Sequence, residues 1–240
     1  MAAIRERFIH EQIEREEAVT ALDAIADRLA SAEWPNLMNL SQLFMTYRAV
    51  DAWRQMLSLY DRMPKVLRDQ KVTREQYAFA LNRQGEKTKD PALVSDALKE
   101  LKAVEAQFGA DAETCGLMGR IHNKRWEAAY KAGQRSARGH LDEATKAYRR
   151  GFQLDQRDYY PGVNLVTLLA AHGPQGADEL KLTVPVVRYA AVRHIGADPD
   201  YWGHATLKEL ADLAHDEASA DEHFTKALTQ NKENYQPRTT

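Results

Sequence analysis

The sequence predicts an all-α protein: a helical-repeat solenoid of about five helix pairs behind an N-terminal capping helix. Three observations predict it. Runs of alternating Val, Ile and Thr are nearly absent, and the one β-branched-rich stretch, 180–187, continues into RYAAVRH with helical character. The 12 glycines and 8 prolines fall mostly in short gaps between amphipathic blocks. Those blocks come in pairs at nearly constant spacing.

The first block, 2–31, reads as one helix. Ile4, Phe8, Ile13, Leu22, Ile25 and Leu29 form its apolar stripe, and its other face is dense in Glu and Arg. Trp34-Pro35 ends it. Residues 36–50 and 51–63 form the first pair, closed by Pro64. The second pair is 73–87 and 91–108, with Asp90 as N-cap, Pro91 at the first helical position and Gly109 as the stop. The third is 111–123 and 141–154, separated by a basic inserted loop. The fourth is 159–172 and 177–194, with Pro185 expected to kink its second helix. The fifth is 200–215 and 218–230, before a tail without periodicity. The organisation is a capping helix over 1–35, a repeat array over 36–232 and a loose end over 233–240.

The pairs share a pattern. Ala144, Tyr148 and Gly151 place a small residue, a large one four positions on and a small one three further. Ala220, Phe224 and Ala227 repeat it, and Ala52, Met56 and Leu59 repeat its spacing with Pro64 at the end. In the first helices Cys115, Met118 and Gly119, then Trp202 and Ala205, supply the facing positions. Small residues let antiparallel helices approach; large ones fill the space between neighbouring pairs. This is the tetratricopeptide pattern, whose ordinary period is about 34 residues. Starts near 33, 74, 112, 159 and 199 make this copy a degenerate, tetratricopeptide-like one.

Composition narrows the function. With 33 basic residues against 35 acidic ones the net charge is -2, which argues against a general nucleic-acid binder. No stretch is apolar enough for a membrane span, and the charged N-terminus is unlike a signal peptide. Cys115 is the single cysteine, so a reducing, cytoplasmic setting is expected.

No catalytic constellation emerges, and no cofactor or metal is expected. Phosphate-cradling glycine motifs are missing; Gly116 and Gly119 fall inside a helix, where close packing accounts for them. Cys115 points inward by its place in the repeat, against the partly exposed electropositive site a reactive thiolate needs. His204 and His215 lie eleven residues apart, about 16 Å along a helix, too far to share an ion. His215 and His223 are the pair placed to approach across a turn.

Charge is unevenly spread. Residues 120–150 hold 9 basic and 3 acidic residues, whereas 198–223 hold 1 basic and 8 acidic. Lys124, Arg125, Lys131, Arg135 and Arg138 can attract an acidic partner, and Trp126 and Tyr130 add aromatic anchors. The first helices of a repeat array line its groove. Asn82, Arg120, Asn123 and Thr167, with Lys124 adjacent, are the groove-facing residues; amides bond a peptide backbone and cations hold a carboxylate. Asn164 is expected to bond the preceding repeat.

Five strings carry a closer resemblance. They are NLSQLFMTYRAVDAWRQMLSLYDRMP at 39–64, YAFALNR at 77–83, CGLMGRIHNKRW at 115–126, GVNLVTLL at 162–169 and DYWGHATLKELADLAHD at 200–216. In order and spacing they resemble the TRAFs-binding domain in the central regulatory region of apoptosis-signal-regulating kinases. The resemblance implies tetratricopeptide-like repeats that serve adaptor recruitment and activation between a thioredoxin-binding segment and a kinase. The Ala- and Asp-rich composition resembles a bacterial relative, for which TRAF adaptors are not implied partners. The expected function is a non-catalytic scaffold in signalling that binds a protein or peptide partner. The alternatives are a self-associating module, whose first helix pairs between subunits, and the sensor portion of a larger signalling or effector protein.

Overall fold

The computed structural model describes residues 1–10, 12–31, 36–197 and 199–230. The Trp34-Pro35 break and the tail beyond 230 lie outside the described residues. The described residues form helices without a strand. The chain divides into two compact units, Met1–Phe108 and Gly109–Thr240. Gly109 stands at the junction with φ +84, a left-handed conformation that a side chain would strain.

The first unit opens with a correction. The N-terminal helix is two helices, α1 (Ala2–Ile9) and α2 (Arg15–Ser31). At 100° per residue, Ile13 would sit on the far side of a straight helix from Ile4, Phe8, Leu22, Ile25 and Leu29. The break re-aims it, so that Ile13 is buried beside Leu22 while Ile4 and Phe8 pack on the same core. Both helices lean on α3 (Leu37–Ala49), where the Tyr47 hydroxyl donates to Asp23 at 2.6 Å. The amphipathic N-terminal segment therefore docks within its own unit.

Asn36 caps α3, and α4 (Trp53–Arg62) returns against it. A one-turn helix, α5 (Lys65–Arg68), follows Pro64 where the sequence reading had only a gap. The unit closes with α6 (Lys71–Thr88) and α7 (Pro91–Phe108). Asp90 caps α7 through the Ala92 amide at 2.9 Å. Leu40, Leu43, Tyr47, Val50 and Met56 are the sealed centre; Tyr60 stacks on Tyr77 at 3.8 Å, and Trp53 meets Phe79 edge-on at 5.6 Å.

The second unit is three hairpins: α8 (Ala112–Lys131) with α9 (Ala137–Leu154), α10 (Tyr159–Ala171) with α11 (Ala177–Ala197), and α12 (Tyr201–Leu213) with α13 (Glu217–Thr229). Asp111, Asp158 and Asp200 cap the three first helices, Asp111 and Asp200 accepting from the amide three residues on and Asp158 from the amide two residues on. The expected inserted loop is a second correction. The stretch 124–131 extends α8, because Asn123 and Lys124 both reach Glu127 within the helix and Trp126 packs on the core. Only 132–136 remains as the turn. Pro185 lies inside α11, which runs from Ala177 to Ala197. In this unit α8, α10 and α12 neighbour one another, each backed by its own second helix. Tyr148, Leu165, Leu168, Leu169 and Val187 are the sealed centre.

Candidate interaction surface

Three residues align across the first-helix layer of the second unit. Arg120, Thr167 and Glu209 each lie nine positions after the aspartate that caps their helix. The Thr167 hydroxyl, with one proton to donate, is within reach of both the Val163 carbonyl, at 3.1 Å, and the Glu209 carboxylate. Burial holds the Glu209 carboxyl above the usual carboxylate range, and the Thr167 bond works against that rise. Glu209 escaped the sequence reading; its register with Arg120 and Thr167, counted from the capping aspartates, is the signal that finds it.

On α8, Asn123 follows Arg120 by one turn. Its amide nitrogen reaches Glu127 at 3.5 Å, and Lys124 pairs with the same carboxylate at 2.8 Å. The Asn123 Oδ1 and the Arg120 Nε are buried without a hydrogen-bond partner. A buried polar atom left unpaired costs about 1–3 kcal/mol.

Asn82 belongs to the first unit. It is 2 % exposed, its amide nitrogen donates to Glu86 at 3.0 Å, and its Oδ1 is also unpartnered. Trp126 and Tyr130 meet at 6.1 Å on α8, where Trp126 is half-buried on the core and Tyr130 projects. Arg135 is exposed in the α8–α9 turn. Arg138 is tied down, to Gln175 at 2.8 Å and to Asp142 at 3.3 Å. The structure thus brings Arg120, Asn123, Lys124 and Thr167 into one layer and leaves Trp126, Arg135 and Arg138 toward the hairpin tip. Asn164 donates to the Tyr160 carbonyl of its own helix at 2.8 Å, not to the preceding repeat.

Cys115 is buried, and a Cβ on Gly151 would stand 3.1 Å from its own Cβ. The histidines that meet are His204 and His223, Nδ1 to Nδ1 at 3.4 Å, instead of His215 and His223. His215 takes φ 56 in the turn between their helices. Among the described residues no group of three or more His, Cys, Asp or Glu is placed to hold a metal ion. Among them, too, no helix is long and apolar enough to cross a membrane.

Comparison with known proteins bears on this geometry. A solved structure, a thermophilic TPR protein of Thermus thermophilus, superposes with a TM-score of 0.61 over 84% of this chain and 95% of that one, at 16% identity. The fold is a tetratricopeptide-like helical repeat. The family described as Tetratricopeptide Repeats-Sensor matches residues 52–169, which include Asn82, Arg120, Asn123 and Thr167. The mitogen-activated protein kinase kinase kinase nsy-1 of Caenorhabditis elegans is 28% identical over 214 residues, 84% of this chain. The chain spans 14% of that kinase's length.

Proposed function

We propose that the chain is a non-catalytic interaction module of a signalling protein, and that it holds an extended peptide along the first-helix layer of its second unit. The observation that carries this reading is the pair of unpartnered buried atoms, Arg120 Nε and Asn123 Oδ1, one turn apart on α8. Both atoms are sealed beneath the surface, so a peptide carbonyl meets the first and a peptide amide the second when the two side chains turn outward. A carboxylate on the peptide pairs with the Arg120 cation, a bond of about 1.5–3 kcal/mol. The match to a kinase of a signalling cascade supports a regulatory setting, and the cysteine usage supports the cytoplasm. No cofactor enters this reading.

The matched family is described by the word sensor, which favours one further possibility: occupancy of the strip reports to a domain outside these residues. The experiment tests the binding on which both readings depend. A displayed peptide library is selected against the full chain, and the recovered peptides are titrated into variants. Arg120→Ala with Asn123→Ala is expected to weaken binding by about tenfold or more, the 1.4 kcal/mol of one decade. Arg135→Ala, at the exposed turn, is expected to change little. Peptides that ignore Arg120 and Asn123 would move the interface elsewhere.

A further inference from the structure

The face of α11 turned away from the core carries an apolar stripe. Leu182 is 76 % exposed, Tyr189 64 % and Val192 47 %. Pro185 and Gly196 are exposed in line with them. The intervals alternate three and four residues, which is the seam of a coiled coil. At 100° per residue the five positions fall within about 80° of arc and extend about 21 Å. Thr183, Val187, Ala190 and Ala191, on the opposite face, are buried and hold the helix to its unit. Single exposed apolar residues are ordinary; an aligned row on a firmly seated helix marks a surface that is covered in use.

The borders of the stripe select what covers it. Lys181 and Arg188 edge one side and Arg193 the other, all exposed, and the Arg193 guanidinium lies 6.0 Å from the Tyr189 ring. The carboxylates of α11 are confined to its first turn, as Asp178 and Glu179. Arg149 engages Glu179 in a two-point bond of 2.6 and 2.7 Å. Arg188 also acts on Asp216 and His223 near the α12–α13 turn, so Lys181 and Arg193 carry more of the discrimination. A second copy docked seam to seam sets these cations against one another, and like charges flanking such a seam disfavour pairing. A helix with an apolar seam and carboxylate flanks meets both requirements.

We infer that α11 is a docking site for an acidic amphipathic helix, seated on Leu182, Pro185, Tyr189 and Val192 between Lys181 and Arg193. This surface is distinct from the strip on α8 and α10. The test uses two synthetic helical peptides with one leucine seam, the first flanked by Glu and the second by Lys, titrated into the full chain by fluorescence anisotropy. The Glu-flanked peptide is expected to bind about tenfold tighter or more, one decade of affinity. Leu182→Ser with Tyr189→Ser is expected to remove that binding, and Lys181→Glu with Arg193→Glu to reverse the preference. These side chains are solvent-facing, so circular dichroism melts are expected to be unchanged. Equal affinity for the two peptides, or binding that survives Leu182→Ser with Tyr189→Ser, overturns the inference. So does a sedimenting dimer that Leu182→Ser dissolves, since the occupant is then a second copy. Binding lost in Arg120→Ala but kept in the Leu182 variant would likewise overturn it, by placing the helix on the other strip.

Discussion

The α8–α9 and α12–α13 hairpins are written with the same triad, and its central residue meets opposite fates. Ala144 and Gly151 flank Tyr148; Ala220 and Ala227 flank Phe224. In both hairpins the small flanking residues are buried against the partner helix. Yet Tyr148 is 1 % exposed and Phe224 49 %. Tyr148 lies with its ring over Gly119, where a Cβ would stand 2.8 Å from Cγ, and α10 brings the edge of Tyr160 to 6.1 Å. No helix among the described residues follows α13 to do the same for Phe224. Spacing along one helix fixes which face a side chain takes; only the next hairpin decides whether that face is dry.

Truncating the two aromatics tests this most severely. Tyr148→Ala is expected to cost about 3–5 kcal/mol, the range for emptying a buried aromatic site, whereas Phe224→Ala is expected to cost under about 1 kcal/mol. Urea unfolding measures both, and equal losses would break the comparison. A narrower form of the same test adds a methyl in place of removing a ring. Gly119→Ala presses on Cγ, Cδ1 and Cδ2 of Tyr148 and is expected to cost about 1–3 kcal/mol by overpacking. In the Tyr148→Ala background the penalty is expected to vanish, because the clashing atoms are gone. A penalty that persists would locate the strain in the backbone of α8.

Much of the architecture was legible because the pattern that encodes it is local. The cap at Asp90, the stop at Gly109 and the burial of Cys115 all follow from residues a few positions apart. The misreadings needed partners from elsewhere in the sequence or the geometry of one side chain. Ile13 breaks the N-terminal helix because its burial, beside Leu22, demands a different direction from its neighbours. The extension of α8 through Trp126 depends on a core contributed by α9 and later helices. The candidate strip was half visible: Arg120 and Thr167 came from repeat position, while Glu209 required the register of three separate caps.

The shared caps sharpen the comparison at a smaller scale. Asp111 bonds the Thr114 amide at 2.8 Å and Asp200 the Gly203 amide at 2.7 Å. Asp111→Ala and Asp200→Ala are each expected to cost about 0.5–2 kcal/mol, the ordinary worth of such a cap. Asp200 also lies 3.2 Å from the His194 ring nitrogen, so its variant is expected to be the costlier of the two. Equal losses for the two variants in urea unfolding would leave the cap alone as the role of Asp200.

The smallest expected effect lies four residues after those caps, where α8 has Cys115 and α12 has His204. His204 meets His223 of α13, one imidazole N–H donating to the other ring nitrogen at 3.4 Å. Burial pushes both pKa values down, and for His204 the facing His223 lowers it further. Lys226 and Arg188 act in the same direction on His223 and Glu222 opposes them, while Asp200 opposes the fall at His204. Unfolded imidazoles take up protons near pH 6.5, where the folded pair resists them. The unfolded state then binds more protons, so this contribution to stability is complete above about pH 6.5 and declines as the pH falls through that value. His223→Gln keeps a polar side chain without the second titrating ring, and its thermal midpoint is expected to fall less steeply between about pH 6.5 and 5. His172, whose pKa burial also lowers, contributes equally to both proteins and cancels in the difference. Parallel curves for the two proteins would show that the imidazoles titrate independently of the α12–α13 packing, and that Cys115 and His204 fill their equivalent places to the same effect.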